Sequence, residues 1–136
     1  RLIFGHSLGG AVAVELATEL ARQAQQDGHG APARGLILES TFTSLGDVAA
    51  AVADTTLPVR WLLSQKFDSL DKIKDVGLPL LLVHGLDDRF VPARFSQQLF
   101  EAAQQPKTLL LVPGATHNNS MSLAGQRYRQ AIEGLL

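Results

Sequence analysis

Leu2-Ile3-Phe4-Gly5-His6-Ser7-Leu8-Gly9-Gly10-Ala11-Val12 is the stretch that decides the fold. Leu2 to Phe4 is a short apolar run with strand character, and it stops at Gly5. From Leu8 to Gln26 the periodicity is helical. Ala11, Val12, Val14, Leu16, Ala17, Leu20, Ala21 and Ala24 make a broad apolar face, with Glu15, Glu19, Arg22 and Gln23 as its polar remainder. Between strand and helix, Gly5-His6-Ser7-Leu8-Gly9 matches G-x-S-x-G in the strand–turn–helix setting that gives the pattern its meaning. So tight a turn is expected to exclude side chains at both flanks, Gly5 and Gly9. It would lift Ser7 to the C-terminal end of the strand with its hydroxyl exposed. The helix N-terminus beneath it favours developing negative charge. The backbone N–H of Leu8 is then a candidate oxyanion-hole donor. The plainer alternative is a Gly-rich phosphate loop, but neither G-x-G-x-x-G nor a following Gly-Lys-Ser/Thr is present.

Strand-like and helical segments alternate along the rest of the chain. Asp27-Gly28-His29-Gly30 ends the first helix, and Gly35–Leu38 reads as a second buried strand. Ser44-Leu45-Gly46-Asp47 resembles a capping box opening a helix over Leu45–Ala53, and Pro58–Ser64 suggests a short helix around Trp61. Asp68–Val76 is charged and reads as helical. Leu78–Val83 is almost wholly apolar, as a strand buried on both faces should be. A helix from Pro92 to about Gln104, a strand over Thr108–Val112 and a helix over Leu123–Leu136 complete the pattern. Alternation of this kind predicts an α/β fold, about four parallel strands with flanking helices. Residues 42–77 form its longest connection, read as a small lid-like insertion in which Phe42, Leu57, Trp61, Leu62 and Leu63 either line a pocket or pack the insertion onto the sheet.

Composition sets the outer limits. Of 136 residues 46% are hydrophobic, so the chain can bury a core. Twelve basic against thirteen acidic residues give a formal charge of −1, which argues against a nucleic-acid partner held through its phosphates. Cys is absent, excluding disulfides, zinc–thiolate sites and Cys nucleophiles. No apolar run approaches the roughly 18 residues of a membrane span. The only Met is Met121 and the chain starts inside a strand, so a processed chain or a fragment of something longer is expected. Nothing in the composition indicates a compartment.

A Ser hydroxyl needs a base and an orienting acid to become nucleophilic. Both are expected in loops at C-terminal strand ends, the rim where open α/β sheets bind ligands. His84-Gly85-Leu86-Asp87-Asp88-Arg89-Phe90-Val91-Pro92 follows the third strand, and Pro113-Gly114-Ala115-Thr116-His117 follows the fourth. His117 is the candidate base, because His6 lies within the turn, His29 lies in a polar loop at the far end of the helix, and His84 ends a buried strand and should bond the turn after it. The acid is one of three. Asp87 and Asp88 are adjacent and cannot both face His117; Asp88, deeper in the turn, is preferred. Glu39 is the third candidate, otherwise a structural carboxylate bonded to Ser40, Thr41 or backbone amides.

Gly5-His6-Ser7-Leu8-Gly9-Gly10, His84-Gly85-x-x-Asp88-x-x-Val91-Pro92 and Gly114-x-x-His117 together resemble the α/β-hydrolase superfamily. Leu38-Glu39-Ser40-Thr41-Phe42-Thr43-Ser44 is similar to a segment of its BEM46-like serine hydrolases, relatives of depalmitoylases and lysophospholipid lipases. The resemblance implies Ser7 as nucleophile, Asp88 as acid and His117 as base, no metal or organic cofactor, and a small-molecule or lipid-like acyl ester substrate hydrolysed through an acyl-enzyme. It also implies that this is a truncated α/β-hydrolase fold: the C-terminal part of one domain, elbow strand onward, lacking about four strands and the loop that carries the second oxyanion donor. Leu2–Phe4 would then be an exposed edge, covered by a twofold dimer or by a missing N-terminal half. Two other functions share these features. One is a catalytically silent hydrolase-like fragment acting as an interaction module; the other is a prolyl-oligopeptidase-like peptidase with the same residue order.

Overall fold

Four strands pair in parallel and in chain order: β1 (Leu2–His6), β2 (Gly35–Glu39), β3 (Leu80–Gly85) and β4 (Lys107–Val112). The computed structural model describes residues 1–28, 30, 33–42 and 69–135. His29, the helices expected at Leu45–Ala53 and Pro58–Ser64, and Leu57, Trp61, Leu62 and Leu63 lie outside those residues. The helices among them are α1 (Leu8–Asp27), α2 (Ser69–Lys72) running into a 3₁₀ turn at Ile73–Asp75, α3 (Arg94–Ala102), α4 (Ser120–Ala124) and α5 (Gln126–Leu135). None is long and apolar enough to cross a membrane.

The two central strands are buried along their whole length, as their unbroken apolar runs require. Alternation divides their side chains between two cores. Leu36, Leu38, Leu80 and Leu82 face Ala13, Val14 and Ala17 of α1, together with Ile73, Val76 and Leu99. Ile37, Leu81 and Val83 point the other way, onto Leu110, Val112, Ala124 and the α5 residues Tyr128, Ile132 and Leu135. The sheet is therefore the middle of three layers. β1 lies at its edge. Its Ile3 packs with the α1 core, whereas Leu2 and Phe4 are exposed, as are Val12 and Leu16 of α1.

Several boundaries differ from the sequence reading. β3 begins at Leu80 rather than Leu78 because Pro79 has no N–H for the ladder, although its carbonyl accepts from Leu36 N at 2.8 Å. It continues past Val83 because His84 and Gly85 pair with Leu111 and Val112. The last helix is two helices, broken at Gly125, whose φ of 52° and ψ of −113° no helix can hold. Within the helical stretch expected at Asp68–Val76, the described residues likewise divide into α2 and the 3₁₀ turn.

The elbow glycines also need correction. A Cβ on Gly5 would lie 2.5 Å from the Gly9 carbonyl oxygen and 2.7 Å from Ala13 Cβ, so Gly5 is required. Gly9 meets nothing among the described residues. Gly10 takes its place, because a Cβ there would overlap the Thr41 side chain just beyond β2. The crowding arises where α1 starts across the end of β2, one residue later than the motif suggests. Gly9→Ala should leave the unfolding free energy within about 0.5 kcal/mol of wild type, since Ala is the better helix former. Gly10→Ala should cost about 1–3 kcal/mol through overpacking, both read by urea unfolding.

Candidate active site

Ser7 occupies the elbow with φ 54° and ψ −120°, a conformation L-residues avoid and that typically costs on the order of 1–3 kcal/mol. The surroundings hold it there. Its N–H donates to the Glu39 carbonyl at 2.9 Å, extending the β1–β2 ladder, and its own carbonyl accepts from Gly10 N–H at 3.0 Å. Ser7 is the N-cap residue of α1, yet its hydroxyl caps nothing in the helix. It lies instead 2.9 Å from His117 Nε2. Leu8 follows as the first residue of α1, where helix amides have no intrahelical partner.

The acid turn and the histidine loop leave neighbouring strands and are joined along their backbones. Leu86 N–H donates to Val112 O at 3.0 Å, and Asp87 N–H to Ala115 O at 2.9 Å. Gly85 permits this approach: a Cβ there would strike the Ala115 carbonyl. Asp88 is buried in the turn. Its Oδ1 accepts from the backbone N–H groups of Phe90 (2.9 Å) and Val91 (2.8 Å), and its Oδ2 accepts from His117 Nδ1 at 2.8 Å. Burial alone would raise the Asp88 carboxyl. Bonds from His117, His84 and the Val91 amide outweigh it and hold the group well below the usual carboxylate range. The carboxylate can only accept, so Nδ1 carries the imidazole proton and Nε2 is free to accept from the Ser7 hydroxyl.

Ser7, His117 and Asp88 thus stand in one hydrogen-bonded line. Asp87, the adjacent alternative, is exposed. Glu39, the third candidate, is buried but accepts from Ser120 Oγ at 2.6 Å at the start of α4. Among the described residues its structural partner is Ser120, rather than Ser40, Thr41 or backbone amides. Burial, and then the Glu39 charge, push the Tyr128 phenol up. His84 does bond its own turn, at Val91 O, as expected of it.

Several contributors escaped the sequence reading. His6 Nε2 donates to the His117 carbonyl at 2.9 Å, and the two rings lie 5.0 Å apart. Phe90 flanks His117 at 5.7 Å on an otherwise exposed side chain. Asn119 Oδ1 accepts from Thr116 N–H at 2.6 Å and closes the loop below His117. His6 and Phe90 stand at x positions of the motifs and Asn119 lies beyond the last of them, so motif spacing gives no signal for them. Among the described residues no three His, Asp or Glu side chains gather as metal ligands. A cleft of about 420 Å³ lined by Thr18, Arg22, Lys74 and Gln104 includes Gly77, ahead of β3, and none of its lining residues belongs to the Ser7–His117–Asp88 line.

Residues 1–118 match the family described as serine hydrolase (FSH1). The chain belongs to that family. Its fold is that of the α/β hydrolases. The esterase domain of a Rhodothermus marinus protein superposes with a TM-score of 0.69 at 21% identity, over 98% of this chain and 60% of that one. A Paleococcus ferrophilus monoacylglycerol lipase gives 0.64 at 20%, over 99% and 67%. In sequence, this serine hydrolase family member is 40% identical to an uncharacterised Mycobacterium tuberculosis protein over 98% of the chain and 43% of that protein. It is 31% identical to human alpha/beta hydrolase domain-containing protein 17B, over 92% and 38%. The chain spans about two fifths of the length of these curated relatives.

A depressed folded-state carboxyl contributes stability above its unfolded pKa of about 3.9, and loses it as pH falls through the lower folded value. The stability difference between wild type and Asp88→Asn should therefore be constant above about pH 5 and shrink below about pH 4. Asp87→Asn, at an exposed side chain, should give a small difference throughout. Urea unfolding across pH checks both; a pH-independent Asp88 difference would contradict the assignment.

Proposed function

We propose that the intact protein is a serine hydrolase of carboxylic esters or thioesters, with Ser7 as nucleophile, His117 as base and Asp88 as orienting acid. The observation that carries this reading is the continuous line Ser7 Oγ–His117 Nε2 (2.9 Å) and His117 Nδ1–Asp88 Oδ2 (2.8 Å). Ser7 Oγ attacks the acyl carbonyl carbon while its proton passes to His117 Nε2. Asp88 keeps the proton on Nδ1 and stabilises the imidazolium that results. The oxyanion takes the Leu8 backbone N–H, next to the positive end of the 20-residue α1. On collapse the C–O or C–S bond breaks and Nε2–H protonates the leaving group. An acyl-enzyme on Ser7 remains. Water, deprotonated by His117, then attacks it and releases the acid and free Ser7.

Family membership supports hydrolase chemistry. The esterase and lipase that share the fold incline the choice toward acyl esters over peptides, and the intact hydrogen-bonded line speaks against a silent interaction module. On this reading the chain is the elbow-onward part of one hydrolase domain.

Ser7→Ala in the intact protein should lower para-nitrophenyl acyl ester turnover by at least roughly a thousandfold, with the protein still folded. Peptide anilides should be poor substrates of the wild type. Ser7→Ala activity within tenfold of wild type, or anilide turnover matching that of the ester, would contradict the proposal.

A further inference from the structure

His84 is the only polar side chain in the run Leu80–His84, and it is fully buried. Burying an imidazole is unfavourable unless both its nitrogens are satisfied. Here they are. Nε2 lies 2.7 Å from the Val91 carbonyl oxygen and 3.4 Å from Asp88 Oδ2; Nδ1 lies 2.6 Å from Ser96 Oγ on α3. Nε2 faces two acceptors, so it carries the proton. Nδ1 of the neutral ring then accepts from the Ser96 hydroxyl.

These contacts surround Asp88. Val91 is held at both of its backbone polar groups: its N–H donates to Asp88 Oδ1 and its carbonyl accepts from His84. The edge of the His84 ring also borders Oδ2, the oxygen that receives His117 Nδ1–H. A carboxylate fixed at Oδ1 but unsupported beyond it could still tilt. The ring of His84 closes that freedom, and the Ser96 hydroxyl satisfies the ring's other nitrogen.

We propose that His84 is a positioning residue: backed by Ser96, it holds the Asp88 turn so that Oδ2 stays aimed at His117 Nδ1. This rests on the hydrolase reading above. It separates His84 from a merely space-filling histidine, which Leu could replace.

The test uses the intact protein, a para-nitrophenyl acyl ester, and the low-field proton NMR signal of the His117 Nδ1–H. His84→Leu should lower kcat by roughly tenfold to a hundredfold with little change in KM, and should broaden or shift that signal, as expected when a reacting group is slightly misplaced. His84→Gln should restore most of kcat: its amide N–H can reach Val91 O, and its carbonyl can take the Ser96 hydroxyl. Ser96→Ala should fall between. A His84→Leu protein with wild-type kcat and an unmoved signal overturns the inference. So does equal impairment of the Leu and Gln variants. If His84→Leu does not fold, Ser96→Ala decides, and wild-type kcat there overturns the inference. Ser7→Ala is run alongside. If it retains turnover, the hydrolase reading fails and the inference with it; if it is inactive while His84→Leu is normal, only the inference fails.

Discussion

The bond from His117 Nδ1 to Asp88 Oδ2, 2.8 Å long, is the interaction on which the rest of the site depends. It joins an ionised, buried carboxylate to a ring whose other neighbours are Ser7, His6 and Phe90. Its strength comes from charge and from exclusion of water. It also decides chemistry at a distance, because fixing the proton on Nδ1 leaves Nε2 as an acceptor facing Ser7. Without that charge the tautomer would be free, and the 2.9 Å contact to Ser7 would be an ordinary hydrogen bond.

The fold serves this bond by bringing three strand ends together. β1, β3 and β4 end on one rim, each delivering one residue within a few positions of its last paired residue. Close backbone approach makes the geometry narrow. Gly85 lets the acid turn touch the histidine loop, and Gly10 lets α1 cross Thr41. Glu39 ties two of the parts through one residue, its carbonyl holding Ser7 N–H and its carboxylate holding Ser120 beyond His117. The positive φ of Ser7 is the local cost of exposing the hydroxyl, and the β1–β2 ladder restrains it.

Much of this was legible in the residues, because the informative signals are local. Unbroken apolar runs mark Leu36–Leu38 and Leu80–Val83 as central strands, and G-x-S-x-G marks the elbow. The choice of Asp88 over Asp87 followed from depth in the turn, which sequence order conveys. What it could not convey was tertiary. Gly125 lies inside a smooth helical pattern, and only its φ of 52° shows the break between α4 and α5. Gly9 looks obligatory in the motif, yet the crowding falls on Gly10 because Thr41 comes from the segment just beyond β2. The contacts of His6 and Phe90 with His117, and of Ser120 with Glu39, join positions more than 25 apart in the chain, with no spacing to betray them.

The most direct test of the account is to treat the intact protein with a fluorophosphonate and map the adduct by peptide mass spectrometry. The account predicts a single covalent adduct, on Ser7. Absence of any adduct, or an adduct on another serine with Ser7 unmodified, would contradict it.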